Sequence, residues 1–210
     1  MLTPLVAKGL GLLASNEVSV ATNYANSNFT AFKNSINAAN YAFFGLQAPG
    51  EVTHMTNGQP LLVYTIQLNP LRNYHPGDDM KALLERSSDV IVPLAVNTNV
   101  RSSISFSLNV AGGTVSNVKF GRRRLIRELM TVYHSIDPNQ IKPDEARFVV
   151  EIPVFDIWFV GYVNTQDELE LIATIDLPLR DMVVSRGERI SPAAMIRLAM
   201  MAQLYNGLPN

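Results

Sequence analysis

The sequence predicts an α+β fold: a mixed, mainly antiparallel sheet of about six strands with covering helices, an N-terminal helical arm and an apolar C-terminal helix. Three observations carry this. Apolar residues recur at steps of three and four between residues 25 and 43 and again between 125 and 136, the period of one helix face. Around residues 103–110 they alternate strictly with polar ones, the period of a strand with one polar face. The 12 Gly and 12 Pro fall mostly between these segments and mark turns.

Residues 1–50 read as the arm and residues 51–210 as a single α+β domain. Residues 1–14 are apolar around Lys8, unlike the unbroken apolar stretch of a signal peptide, and read as an ordinary helix. Beyond Thr22 the residues Ala25, Phe29, Phe32, Ile36, Ala39 and Phe43 trace one stripe. The opposite side carries Asn26, Asn34, Asn37 and Asn40, which are indifferent helix formers, so packing must hold this helix. Residues 48–60 are a loop and 61–68 a buried strand, rich in β-branched and aromatic side chains. Residues 69–77 form a second loop, and Asp78 or Asp79 caps a short helix reaching Arg86. Residues 89–96 are a strand whose Pro93 marks an edge or a bulge.

Ile104, Phe106, Leu108 and Val110 then face one way and Ser103, Ser105, Ser107 and Asn109 the other. Ala111, Gly112 and Gly113 turn the chain into a hairpin partner at 114–120. Gly121 opens a helix to about Ile136, with Leu125, Leu129, Val132, Tyr133 and Ile136 inward, and Asp137-Pro138 ends it. Residues 147–163 are apolar on both faces and read as one central strand. After a turn at 164–167, Leu169, Leu171, Ala173, Ile175 and Leu177 alternate with polar residues, a hairpin with one wet face. Residues 179–189 are a charged connection. In the last helix Ser191 is the N-cap, Pro192 the first helical residue and Gly207 the C-terminal stop. It is apolar almost all round, with Met195, Met200 and Met201 on different faces.

Composition narrows the function. Charged residues make up 17% of the 210 and apolar ones 47%, against roughly 25% charged in an average soluble domain. The net charge of −1, from 17 basic and 18 acidic residues, excludes the bulk signature of a nucleic-acid binder or a polybasic membrane protein. With no Cys there is no redox centre, thiolate metal site or disulfide framework. The longest apolar stretch, 148–163, is broken by Glu151, Pro153 and Asp156 and is no membrane span. The charge deficit therefore points to surface that faces protein. The leading expectation is a non-enzymatic structural or assembly subunit, a homo-oligomer or part of a larger assembly. Its composition suits a virion, phage or injection-particle component, soluble in the cytoplasm or within a particle. Phe29, Phe32 and Ile36 of the arm, with Met195, Met200 and Met201, would form the oligomer interface.

Arg122, Arg123, Arg124 and Arg127 gather at the start of a helix, where positive charge opposes the helix dipole unless an anion or an anionic partner sits among them. Pairing with Glu128, Asp144 or Glu145 is the plainer account. The cluster supports a second expectation, a sensor module in which sheet and helix enclose a small ligand and the arginines hold its anionic end. A third is a hydrolytic enzyme built on the loop of His75, Asp78 and Asp79, although a turn and a helix cap explain the same residues. No catalytic residue, metal site or cofactor is assigned. His54, His75 and His134 lack a second His at helical spacing. Gly9-Leu10-Gly11 has no strand before it, Gly112-Gly113 is followed by no phosphate-loop Lys, and strand alternation separates Ser116 from Lys119. Glu151, Asp156 and Asp176 sit on expected strands, either at a wet face or paired across the hairpin.

Overall fold

The protein is described by a computed structural model over residues 15–109, 114–143 and 145–205. In chain order the elements are α1 (Ser15–Ser35), β1 (Met55–Asn57), β2 (Leu61–Ile66), the short α2 (Leu68–Arg72), β3 (Leu84–Val96), β4 (Asn99–Asn109) and β5 (Thr114–Gly121). There follow α3 (Arg123–Ser135), β6 (Phe148–Ile152), β7 (Ile157–Val163), β8 (Leu169–Ala173), β9 (Leu177–Leu179), β10 (Met182–Val184) and α4 (Pro192–Leu204). The main sheet runs β5-β4-β3-β2-β6-β7-β8, with β1 also on β3, and β9 pairs β10 separately. Only β2 and β6 pair in parallel. The fold is thus α+β with a mixed, mainly antiparallel sheet, larger than expected by one or two strands.

Two antiparallel meanders, β2 to β5 and β6 to β8, meet at that parallel pair, where Val63, Tyr64 and Thr65 align with Val149, Val150 and Glu151. One face of the sheet is covered twice. Ala25, Phe29, Phe32 and Ile36 of α1 pack on β3 and β4, and Phe32 stacks on Phe120 of β5 at 4.8 Å. Glu17, buried, pairs with Arg86 of β3 at 2.6 Å and ties down the same helix. On the other half, α4 packs Met195, Leu198 and Ala202 on residues of β6, β7 and β8. The second face is covered by α3, whose Ile126, Leu129 and Met130 join Val63, Val149 and Val160. Burial on both faces of the sheet accounts for a chain this poor in charge.

Several elements form for the reasons their residues suggest. Ile104, Phe106 and Leu108 are buried beneath α1 while Ser105 and Ser107 face the other side. The Ser191 side chain accepts from Ala194 N–H at 3.2 Å and Pro192 opens α4. Pro93 lies within a central strand, yet causes no loss: its carbonyl accepts from Gly58 N–H at 2.7 Å, in the gap between β1 and β2 along the edge of β3. A strand residue points its N and O the same way, so the missing N–H faces that gap too.

Other expectations are corrected. Residues 147–163 are not one strand but the β6–β7 hairpin, because Pro153 and a left-handed Asp156 (φ 51°) turn the chain. The arm helix stops at Ser35, leaving Phe43 71% exposed. Asp79 caps only a single turn, Met80–Leu83, and β3 starts at once from Leu84. The strand expected over 61–68 ends at Ile66, and Leu68 is helical together with residues 69–72, expected as loop. β8 has no wet face: Glu170 and Thr174 are buried. Ser116 and Lys119 share a face, since a bulge at left-handed Asn117 (φ 54°) shifts the register between their partners Ser107 and Ser105. The readings of residues 1–14, Val110, the turn at 111–113, Asp144 and Gly207 lie outside the described residues.

Candidate ligand-binding site

The C-terminal end of β5, the turn between β6 and β7 and the first turn of α3 converge on the second face of the sheet. Gly121 (φ 111°) and Arg122 (φ 54°, ψ 35°) both take left-handed backbone before the helix begins at Arg123. An N-cap residue is ordinarily extended. Here the left-handed turn accompanies an Arg122 guanidinium set over the Trp158 ring, 5.3 Å from its centroid. That guanidinium makes no hydrogen bond or ion pair with any described residue.

Trp158 is held from both sides. It is 5% exposed, its Nε1–H donates to Asp156 at 3.0 Å, and its carbonyl accepts from the buried Thr174 hydroxyl at 2.7 Å. Arg122 and Trp158 together border two hollows. The larger, about 680 Å³, lies between the first turn of α3 and the Asp156 turn, with Phe43, Leu125 and Ile175 as its apolar lining. The smaller, about 440 Å³, opens over the serine side of β4 and is lined by Asp89, Ser107, Asn117, Lys119 and Glu151. Burial pushes the Glu151 carboxyl above its ordinary range; Asp156 and Asp89 add to this, and Arg122 and Lys119 oppose it.

The four arginines part company. Arg122, Arg123 and Arg124 line the larger hollow and Arg127 does not. Arg123 donates to the carbonyl of Ala42, Arg124 pairs with Glu128 at 3.0 Å, and Arg127 donates to the carbonyl of Arg123 at 3.3 Å. Only Arg122 is left with an aromatic ring as its partner.

The other candidates are placed as follows. Exposed His75 closes a turn: its N–H donates to Asp78 at 2.7 Å, and Asp78 N–H returns to its carbonyl at 3.1 Å. Asp79 accepts from Lys81 N–H at 2.9 Å as a cap. Among the described residues no group of three or more His, Asp and Glu is arranged to hold a metal, and no helix is long and apolar enough to cross a membrane. Glu151 and Asp156 are not a facing pair; Glu151 lies opposite Trp158, and Asp176 accepts from Arg186 N–H at 2.8 Å. Phe29, Phe32, Ile36 and Met195 are buried in the chain's own core, and Met200 and Met201 are half-buried.

No protein-family model, curated protein or solved structure matches this chain. The functional reading therefore rests on the site alone. Sequence reasoning found Arg122 through the charge run but missed Trp158, although it is the only Trp and stands at i+2 from an Asp able to satisfy its N–H. It also missed Phe43, placed at the rim by a short turn after α1.

Proposed function

We propose that the protein is a non-catalytic binding or sensor module for a small molecule with an anionic group and an apolar or aromatic body. One observation carries the reading: Arg122, on left-handed backbone, rests on Trp158 between two hollows with no carboxylate or carbonyl as partner. A guanidinium without a hydrogen-bond acceptor is ready to take a carboxylate or phosphate by a two-pronged bond. Hollows of several hundred Å³ with mixed apolar and polar walls suit small ligands. The assembly reading lacks comparable support, because most of the apolar side chains behind it are used within the chain.

The sole Trp makes the test direct. Trp158 emission is followed while 2-naphthalenesulfonate or its neutral analogue 2-naphthalenemethanol is titrated. The expected result is a saturable change with the anion, weaker with the neutral compound and lost in Arg122→Ala. A change of equal size in Arg122→Ala, or no saturable change in the wild type, overturns the reading.

A further inference from the structure

The smaller hollow contains a second charge without a partner. Strand alternation places Val149 and Glu151 of β6 on the face that α3 covers, with Thr65 and Trp158 as the cross-strand neighbours of Glu151. Val149 is fully buried in the α3 core, whereas Glu151 stays half-buried in the hollow. Its carboxylate forms no hydrogen bond or ion pair with any described residue. Neighbouring Asp89 differs, since it accepts from the Ser107 hydroxyl at 2.6 Å. Glu151 and Arg122 line the same hollow and feel each other's charge, yet they do not close into a salt bridge.

A half-buried carboxylate that has lost water and gained no bond is costly to the fold, and Glu151 is in that position while the exposed Arg122 guanidinium faces the same space without closing on it. A ligand group of the matching sign between them removes that cost. We infer that the site takes a small zwitterion of the amino-acid class, its carboxylate on Arg122, its amine on Glu151 and its apolar body in the larger hollow beside Trp158 and Phe43. This rests on the binding reading above and specifies the ligand. The walls agree with it: the polar side has Ser107, Asn117 and Lys119 for further hydrogen bonds, and the apolar side has Leu125 and Ile175.

Three probes of one skeleton separate the two ideas in the Trp158 titration: phenylalanine with both charges, 3-phenylpropionate without the amine, and 2-phenylethylamine without the carboxylate. A charge-assisted bond to the amine makes phenylalanine bind about tenfold or more tightly than 3-phenylpropionate. Glu151→Gln, checked for fold by circular dichroism, is expected to bring the two within about twofold. If 3-phenylpropionate binds and phenylalanine binds no better, the zwitterion inference fails and the anion site stands. If no probe binds while 2-naphthalenesulfonate does, the zwitterion inference fails and the anion site stands; if that anion gives no response either, both fail. The wild-type comparison needs no variant, so a misfolded Glu151→Gln would not shield the inference.

Discussion

Replacing Arg122 by glycine and, separately, by alanine distinguishes what the residue does for the fold from what it does for a ligand. Its φ of 54° lies in the left-handed region, which costs a residue bearing a Cβ about 1–2 kcal/mol. Glycine escapes that cost but loses about 0.5–1 kcal/mol through its freer unfolded chain. Both variants lose the contact with Trp158, about 0.5–1 kcal/mol for an exposed guanidinium. The difference leaves Arg122→Gly close to wild type and above Arg122→Ala by about 1 kcal/mol, or about 2–4 °C in melting temperature for a chain of this size. Thermal melts by circular dichroism read the stabilities, and Trp158 emission with 2-naphthalenesulfonate reads binding. Both variants should fail to respond to the anion. An alanine variant as stable as the glycine one refutes the backbone argument. A glycine variant that keeps the response refutes the site.

Two further predictions concern the core and pH. Gly161 lies opposite Phe148, and a Cβ added there would stand 2.5 Å from one ring atom and 3.0 Å from two more. Phe148 is fully buried against Tyr64, so Gly161→Ala should cost about 1–3 kcal/mol, and Phe148→Leu in the same chain should recover part of the lost melting temperature; no loss in the single variant counts against this packing. Glu151 has its folded pKa raised, chiefly by burial, so folding takes up a proton between the unfolded and folded values. Its charge lowers stability progressively as pH rises through that window. Glu151→Gln should therefore melt above wild type at pH 7, with the gap closing as pH falls below the ordinary carboxylate range. A variant less stable at pH 7 would show that Glu151 has a partner after all.

Local regularities were legible and long-range ones were not. The serine-lined alternation of β4, the helix beginning beside Gly121 and the Ser191-Pro192 cap depend on residues a few positions apart. The β6–β7 turn was hidden because both flanking strands are buried on both faces, which blurs any period of two. The start of β3 was hidden because Glu85 and Arg86, both exposed and charged, precede a shifted register, and Arg86 is held by Glu17 of the distant α1. Arg122 stood out as charge at a helix start. Nothing local joins it to Trp158 and Glu151, since they meet only when β2 finds β6 across the intervening β3, β4, β5 and α3.

That parallel seam has a kinetic consequence. Each meander pairs strands that are neighbours in sequence, whereas the seam closes a long loop and is expected to be the slower step in forming the sheet. Val63 and Asp89 come from the first meander, Arg122 from the residue that follows it, and Glu151 and Trp158 from the second, so the hollow exists only once the halves have docked. A bound ligand would act as a clasp across the seam. Amide exchange should slow most at residues 63–65 and 149–151, where the two halves separate first when the chain opens.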